Sequence, residues 1–156
     1  MAAAELAFPS RDWFARLGEL MNADRVRHEH LGYVDCVVEF RVLDAHGPGR
    51  PERVQVTFEE FGVTDVRALT AGGDSGADFV LEADAKAWRA MIESIARGRG
   101  RPELEQTLNR LSHMETPFRV VSDDPLKRDL YFRYNQSLQE FVNASASFTT
   151  HFAEAD

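Results

Sequence analysis

Tyr33-Val34-Asp35-Cys36-Val37-Val38-Glu39-Phe40-Arg41-Val42-Leu43 alternates apolar and polar side chains. Val34, Cys36, Val38, Phe40 and Val42 fall on one side, and Asp35, Glu39 and Arg41 on the other, with Val37 the exception. Period two over such a stretch defines a strand with one face on a core and the other toward solvent. His46-Gly47-Pro48-Gly49-Arg50-Pro51 is turn chemistry, and after it Val54, Val56 and Phe58 oppose Gln55, Thr57 and Glu59 in a second strand. Gly62 breaks that strand and residues 63–69 form a third. The loop Ala71-Gly72-Gly73-Asp74-Ser75-Gly76 leads to a fourth at residues 78–82. The four read as an antiparallel meander.

Helical spacing surrounds this block. Ser10 is placed to cap a helix in which Trp13, Phe14, Leu17, Leu20 and Met21 repeat, ending near Asn22. The polar stretch from Asp24 to His30 accommodates a helical turn. Asp84 caps a helix whose face is Trp88, Met91, Ile92 and Ile95, stopped by Gly98 and Gly100. Pro102 starts another with Leu104, Leu108 and Leu111. Residues 117–121 form a fifth strand, and Asp123 or Asp124 caps a long closing helix lined by Leu130, Tyr134, Leu138, Phe141 and Val142. Helix, four strands, two helices, strand and helix describe one α+β domain: a five-stranded, mostly antiparallel sheet covered on one face by helices. Its expected bounds are residues 10–148, with a loose lead-in at 1–9 and a tail at 149–156.

Composition narrows the function. The 156 residues carry 18 Lys+Arg against 26 Asp+Glu, a formal net charge of -8. A binder of phosphate backbones needs a basic face, and the densest basic run is Arg97, Arg99 and Arg101 spaced by glycine. Nucleic acid and permanent membrane docking or insertion are disfavoured. Cys36 is the single cysteine, so no internal disulfide forms, which fits a reducing compartment. The N-terminus shows neither a basic start nor an apolar run of signal length, and a cytoplasmic location is expected. Phenylalanine is abundant, 11 residues against 3 Tyr and 2 Trp, a large apolar load without polar atoms to satisfy.

No catalytic constellation stands out. His28 and His30 form H-x-H in a charged segment, too few ligands for a metal site, and no metal or other cofactor is expected. Cys36 sits mid-strand on the apolar side and reads as a small buried hydrophobe. Gly73-Asp74-Ser75-Gly76 lacks the strand-turn-helix elbow of a serine nucleophile, and Gly98-Arg99-Gly100 lacks the third glycine of a dinucleotide fingerprint. Glu59 and Glu60 diverge on a strand, and Asp123-Asp124 is explained by capping.

The opening Phe8-Pro9-Ser10-x-x-Trp13-Phe14-x-x-Leu17, the helix through Trp88 to Gly98, the short strand at Phe118 to Val121 and the closing helix together resemble the sterol carrier protein 2 family of lipid-binding domains. The resemblance spans residues 8–141. It departs from the family where Ser122-Asp123 replaces a Gly-Asp pair and where Met114-Glu115-Thr116-Pro117 carries no glycine. It implies an apolar tunnel between sheet and helices and non-catalytic binding or carrying of a fatty acyl, sterol or similar lipid. Phe40, Phe58, Phe79, Trp88, Tyr134, Leu138 and Phe141 are the expected wall, and Arg133 the expected contact for a polar head. A partner enzyme or a homodimer is compatible with that role. Two other readings stay open. One is a small enzyme of ketosteroid-isomerase type using Asp35, Asp78 or His113; the other is an accessory protein docking through an apolar helix face.

Overall fold

A computed structural model describes residues 5–152. Strand β1 (Glu5–Phe8) is followed by α1 (Arg11–Ala23) and α2 (Arg25–Leu31). Strands β2 (Cys36–Leu43), β3 (Glu52–Glu59), β4 (Gly62–Ala68) and β5 (Phe79–Asp84) come next, then α3 (Ala85–Arg97). The chain closes with α4 (Leu108–Ser112), β6 (Arg119–Val121), α5 (Pro125–Arg133), α6 (Asn135–Asn143) and β7 (Thr149–Phe152). Three caps form where the sequence places them. Ser10 Oγ accepts the Trp13 amide at 3.1 Å, Asp84 Oδ1 the Ala87 amide at 2.8 Å, and Asp124 Oδ1 the Leu126 amide at 2.9 Å. The helix expected from Pro102 is instead a 3-10 turn at Leu104–Gln106 followed by α4, which Thr107 caps.

The main sheet has five strands in the order β4-β3-β2-β5-β6, and α1, α3 and α6 lie over one face, so the α+β architecture is as expected. The meander is corrected in one respect: β5 pairs with β2, not β4, and runs parallel to it, Val38 opposite Phe79 and Val42 opposite Ala83. A hairpin connection runs about two to five residues, and the segment 69–78 is longer. It spans the outer face of the sheet, where Arg53 Nη1 donates to the carbonyls of Thr70 (3.1 Å) and Gly73 (2.9 Å). β4 is left as an edge strand with mostly exposed side chains, whereas Phe79, Leu81 and Ala83 of β5 are buried.

That crossing segment changes the fate of Glu39. The alternation puts it on the outer face, yet it is 0% exposed. Arg53 grips both carboxylate oxygens (Nε–Oε2 3.1 Å, Nη2–Oε1 3.0 Å) and Arg41 Nε adds a third bond at 2.7 Å. Burial alone would raise the Glu39 pKa, but the hydrogen bonds from Arg53 and Arg41 outweigh it and hold the carboxyl below its ordinary range.

The terminal segments also depart from a loose lead-in and tail. Within them, β1 and β7 pair in parallel, Glu5 opposite Thr149 and Phe8 opposite Phe152, and Trp13 Nε1 donates to Thr150 Oγ1 at 3.0 Å. The remainder, residues 1–4 and 153–156, lies outside the described residues. The long closing helix is interrupted: Tyr134 (φ -103, ψ 13) separates α5 from α6 with neither proline nor glycine at the break.

Candidate functional site

The inward face of each element supplies large rings, and they meet. Phe40 stacks on Phe14 (centroids 5.0 Å) and on Phe141 (5.7 Å), while Phe58 meets Phe141 edge-on at 5.0 Å. Trp88 packs on Phe118 at 4.8 Å, and Phe79 on Tyr131 at 5.8 Å. Phe40, Phe58, Phe79, Trp88, Leu138 and Phe141 are all buried in one cluster. The structure thus brings six of the seven expected wall residues together in one buried cluster. Tyr134 is only partly buried at the helix break, and Arg133 is exposed with its guanidinium 5.9 Å from the Tyr134 ring. The buried Tyr131 hydroxyl has partners: its Oη lies 2.8 Å from Ser112 Oγ and donates to the Leu108 carbonyl at 3.1 Å.

Space is found beside this core. A groove of about 910 Å³ opens between α2, the end of α1, the turn at residues 98–101, and α6 with the following 3-10 turn at Ala144–Ser147. Leu20, Met21, Leu31, Ala144 and Ala146 give it an apolar lining, and Met21 also belongs to the core. Arg27, Arg99, Arg101, His28 and His30 bring basic groups, Asp24 and Glu140 acidic ones. Arg27 bridges the groove: its guanidinium meets Asp24 at 3.3 Å and Glu140 at 3.0 Å. A volume near the upper end of ordinary ligand pockets, about 300–1,000 Å³, suits a small molecule or one acyl chain.

The H-x-H pair does not act as a unit. On a helix, residues two apart differ by about 200° in direction. His30 is exposed, whereas His28 turns inward, 4% exposed. His28 Nδ1 is buried without a hydrogen-bond partner among the described residues. Burial, opposed by Asp24 and Glu140 and aided by Arg27, lowers its pKa below 6.5, so the imidazole is neutral at pH 7. Sequence spacing held one clue to this inward turn: His28 and Leu31 stand three apart on α2.

The turn at residues 98–101 is equally specific. The Gly100 amide donates to the Ile95 carbonyl at 2.9 Å and the Arg99 amide to Ala96 at 3.1 Å, the paired bonds of a Schellman motif ending α3. A Cβ at Gly98 would collide with the Arg101 carbonyl. Arg99 occupies the left-handed position (φ 54) that such motifs usually give to glycine.

A second hollow of about 270 Å³ lies near Arg41, Ser75, Asp78 and Lys127. Three of its polar side chains are already engaged. Asp78 Oδ2 accepts the Val37 amide at 2.8 Å, Ser75 Oγ the Ala77 amide at 3.2 Å, and Arg41 contacts Glu39 and Glu82. Of the acid and base candidates for catalysis, Asp35 and His113 are exposed and Asp78 is held by the backbone. Burial, with Asp78 and Asp35 nearby, pushes the Cys36 thiol up to about 12. Among the described residues no three His, Cys, Asp or Glu side chains converge as metal ligands, and no helix is long and apolar enough to cross a membrane.

An α+β sheet with helices on one face and a closing helical segment defines the class of fold. Two solved structures share it: a crystal structure of sterol carrier protein 2 (TM-score 0.63, 18% identity, 90% of this chain and 98% of that one) and a solution structure from Thermus thermophilus described as a possible sterol carrier protein (TM-score 0.62, 17% identity, 94% and 95%). The fold is therefore SCP2-like. No family model matches the chain, and no curated protein matches it.

Proposed function

We propose that this protein binds and carries an apolar ligand, without converting it, and that the ligand is taken up through the groove beside α2 rather than lying in a preformed tunnel. The observation that carries this reading is the groove itself: about 910 Å³, lined by Leu20, Met21, Leu31, Ala144 and Ala146 together with charged and polar side chains, and backed at Met21 by the aromatic core. Each methylene removed from water gains about 0.8 kcal/mol, so a chain of about ten methylenes gains roughly 8 kcal/mol before ordering costs. No catalytic base or cofactor is needed for that. Cys36, buried and unpaired, supports a reducing compartment, and we place the protein in the cytoplasm.

Natively purified protein extracted with organic solvent and examined by mass spectrometry tests the reading. A stoichiometric apolar molecule, or uptake of a fluorescent acyl probe by the stripped protein, is the expected result. A protein that is empty and takes up no probe overturns it. The docking alternative rests on a different observation, the exposure of Met114 (77%), Leu126 (77%) and Phe132 (53%) on and beside α5. It is the reading left standing if no ligand is found.

A further inference from the structure

The groove's basic groups are not equivalent. Arg27 is engaged by two carboxylates, Asp24 and Glu140. Arg99 and Arg101 have no ion-pair partner among the described residues, in a chain whose net charge is -8. With Arg27 they set three guanidinium groups against the two carboxylates of Asp24 and Glu140, so the groove carries a net positive charge beside its apolar residues.

The backbone of Arg99 is also unusual. Gly98 and Gly100 (φ 97) flank Arg99, which takes the φ of 54 that a third glycine would adopt freely. An arginine here is held against the local preference, and it lines the groove. Such strain is characteristic of functional positions. The independent observation is His28 on α2: it lines the same groove, is 4% exposed, and its buried Nδ1 has no partner. Gln106 Oε1, Asn135 Nδ2 and Ser145 Oγ are also buried without a partner among the described residues, and of these four residues His28 alone lines the groove.

We propose that the groove selects ligands carrying one anionic head group, a carboxylate or a phosphate, bound by Arg99 and Arg101 with His28 as a further hydrogen-bonding partner. This rests on the apolar-ligand reading above and narrows it. A guanidinium presents a planar fork of donors that matches both oxyanions. A neutral hydroxyl head would satisfy His28 and leave both arginines unused. The assignment moves the head group from Arg133, exposed on α5, to the turn that ends α3.

The test uses three probes of one chain length: a fluorescent fatty acid, its methyl ester and the corresponding monoalkyl phosphate. Each is titrated into the full chain and into Arg99→Gly, Arg101→Ala and the double variant, with thermal melts to confirm folding. The wild type is expected to bind the acid or the phosphate about tenfold more tightly than the ester, and the double variant to lose most of that preference while keeping its ester affinity. The tighter of the two anions identifies the head group. Equal binding of acid, phosphate and ester by the wild type overturns the head-group assignment and leaves the carrier reading intact. So does a preference that survives in a folded double variant. Failure of all three probes overturns the carrier reading, and the assignment with it.

Discussion

The aromatic interior and the groove beside α2 share a wall at Met21 and are built on opposite terms. In the interior, rings stack on rings and the Tyr131 hydroxyl has its partners. In the groove, small residues line the 3-10 turn, His28 Nδ1 lacks a partner, and an arginine holds a glycine's conformation. Local rules that agree at every level specify a fold, and the places that break them are where function is expected. The interior stabilises the fold, and the groove leaves His28 Nδ1 without a partner among the described residues.

Truncation should separate the two regions most sharply. Phe141→Ala removes a ring that contacts both Phe40 and Phe58, and should cost about 3–5 kcal/mol in urea denaturation. Arg101→Ala, exposed at the groove, should stay within about 0.5 kcal/mol. A loss of under about 1 kcal/mol for Phe141→Ala would mean that the interior packs loosely, and would return the ligand to a tunnel within it.

The outer face of the sheet supplies the next effect. Glu39→Gln leaves Arg53, with its side chain 11% exposed, facing a neutral group, and should cost about 3 kcal/mol. The folded carboxyl titrates below its ordinary range, so the unfolded chain takes up the proton first as pH falls. The stabilisation is complete above about pH 4.3 and fades below it. The gap between wild type and Glu39→Gln should narrow on acidification; a gap constant from pH 7 to pH 3 would show that the contribution is steric.

Much of the interior was legible because it obeys periods. Two-residue alternation marked β2 and β3, and helical spacing marked α1 and α3; together they put Phe40, Phe58 and Trp88 on inward faces. What escaped lacks a period. The parallel placement of β5 depends on where a long segment runs, and the burial of Glu39 depends on that same segment. The break at Tyr134 carries no proline or glycine. The groove mixes Leu, Met and Ala with His, Arg, Asp and Glu on segments far apart in the chain. None of those residue types announces a cavity, and His28 beside two charged neighbours reads as surface.

A smaller effect has the opposite sign from a truncation. Arg99→Gly relieves the left-handed backbone at the end of α3 and should stabilise the protein by about 1 kcal/mol in urea denaturation. The same change should weaken binding of an anionic ligand. Raised stability with lowered affinity is the pattern of a position held strained for binding; lowered stability would mean that the arginine side chain contributes packing that outweighs the strain.

The smallest effect is that of His28, and its sign follows from burial. Its folded pKa lies below the ordinary 6.5, so below that pH the unfolded chain is protonated before the folded one. Stability should therefore be fully present above about pH 6.5 and decline as the pH falls toward the folded pKa. Asp24 and Glu140 face the imidazole and favour its charged form, while Arg27 opposes it. Glu140→Gln removes one of those carboxylates and should deepen the decline between pH 7.5 and pH 5.5; His28→Gln should flatten it. If urea midpoints for the wild type and His28→Gln follow the same pH curve, the imidazole is reaching water or a partner in the folded protein. Its Nδ1 would then be no vacancy for a ligand to fill, and the contrast between groove and interior would rest on the two arginines alone.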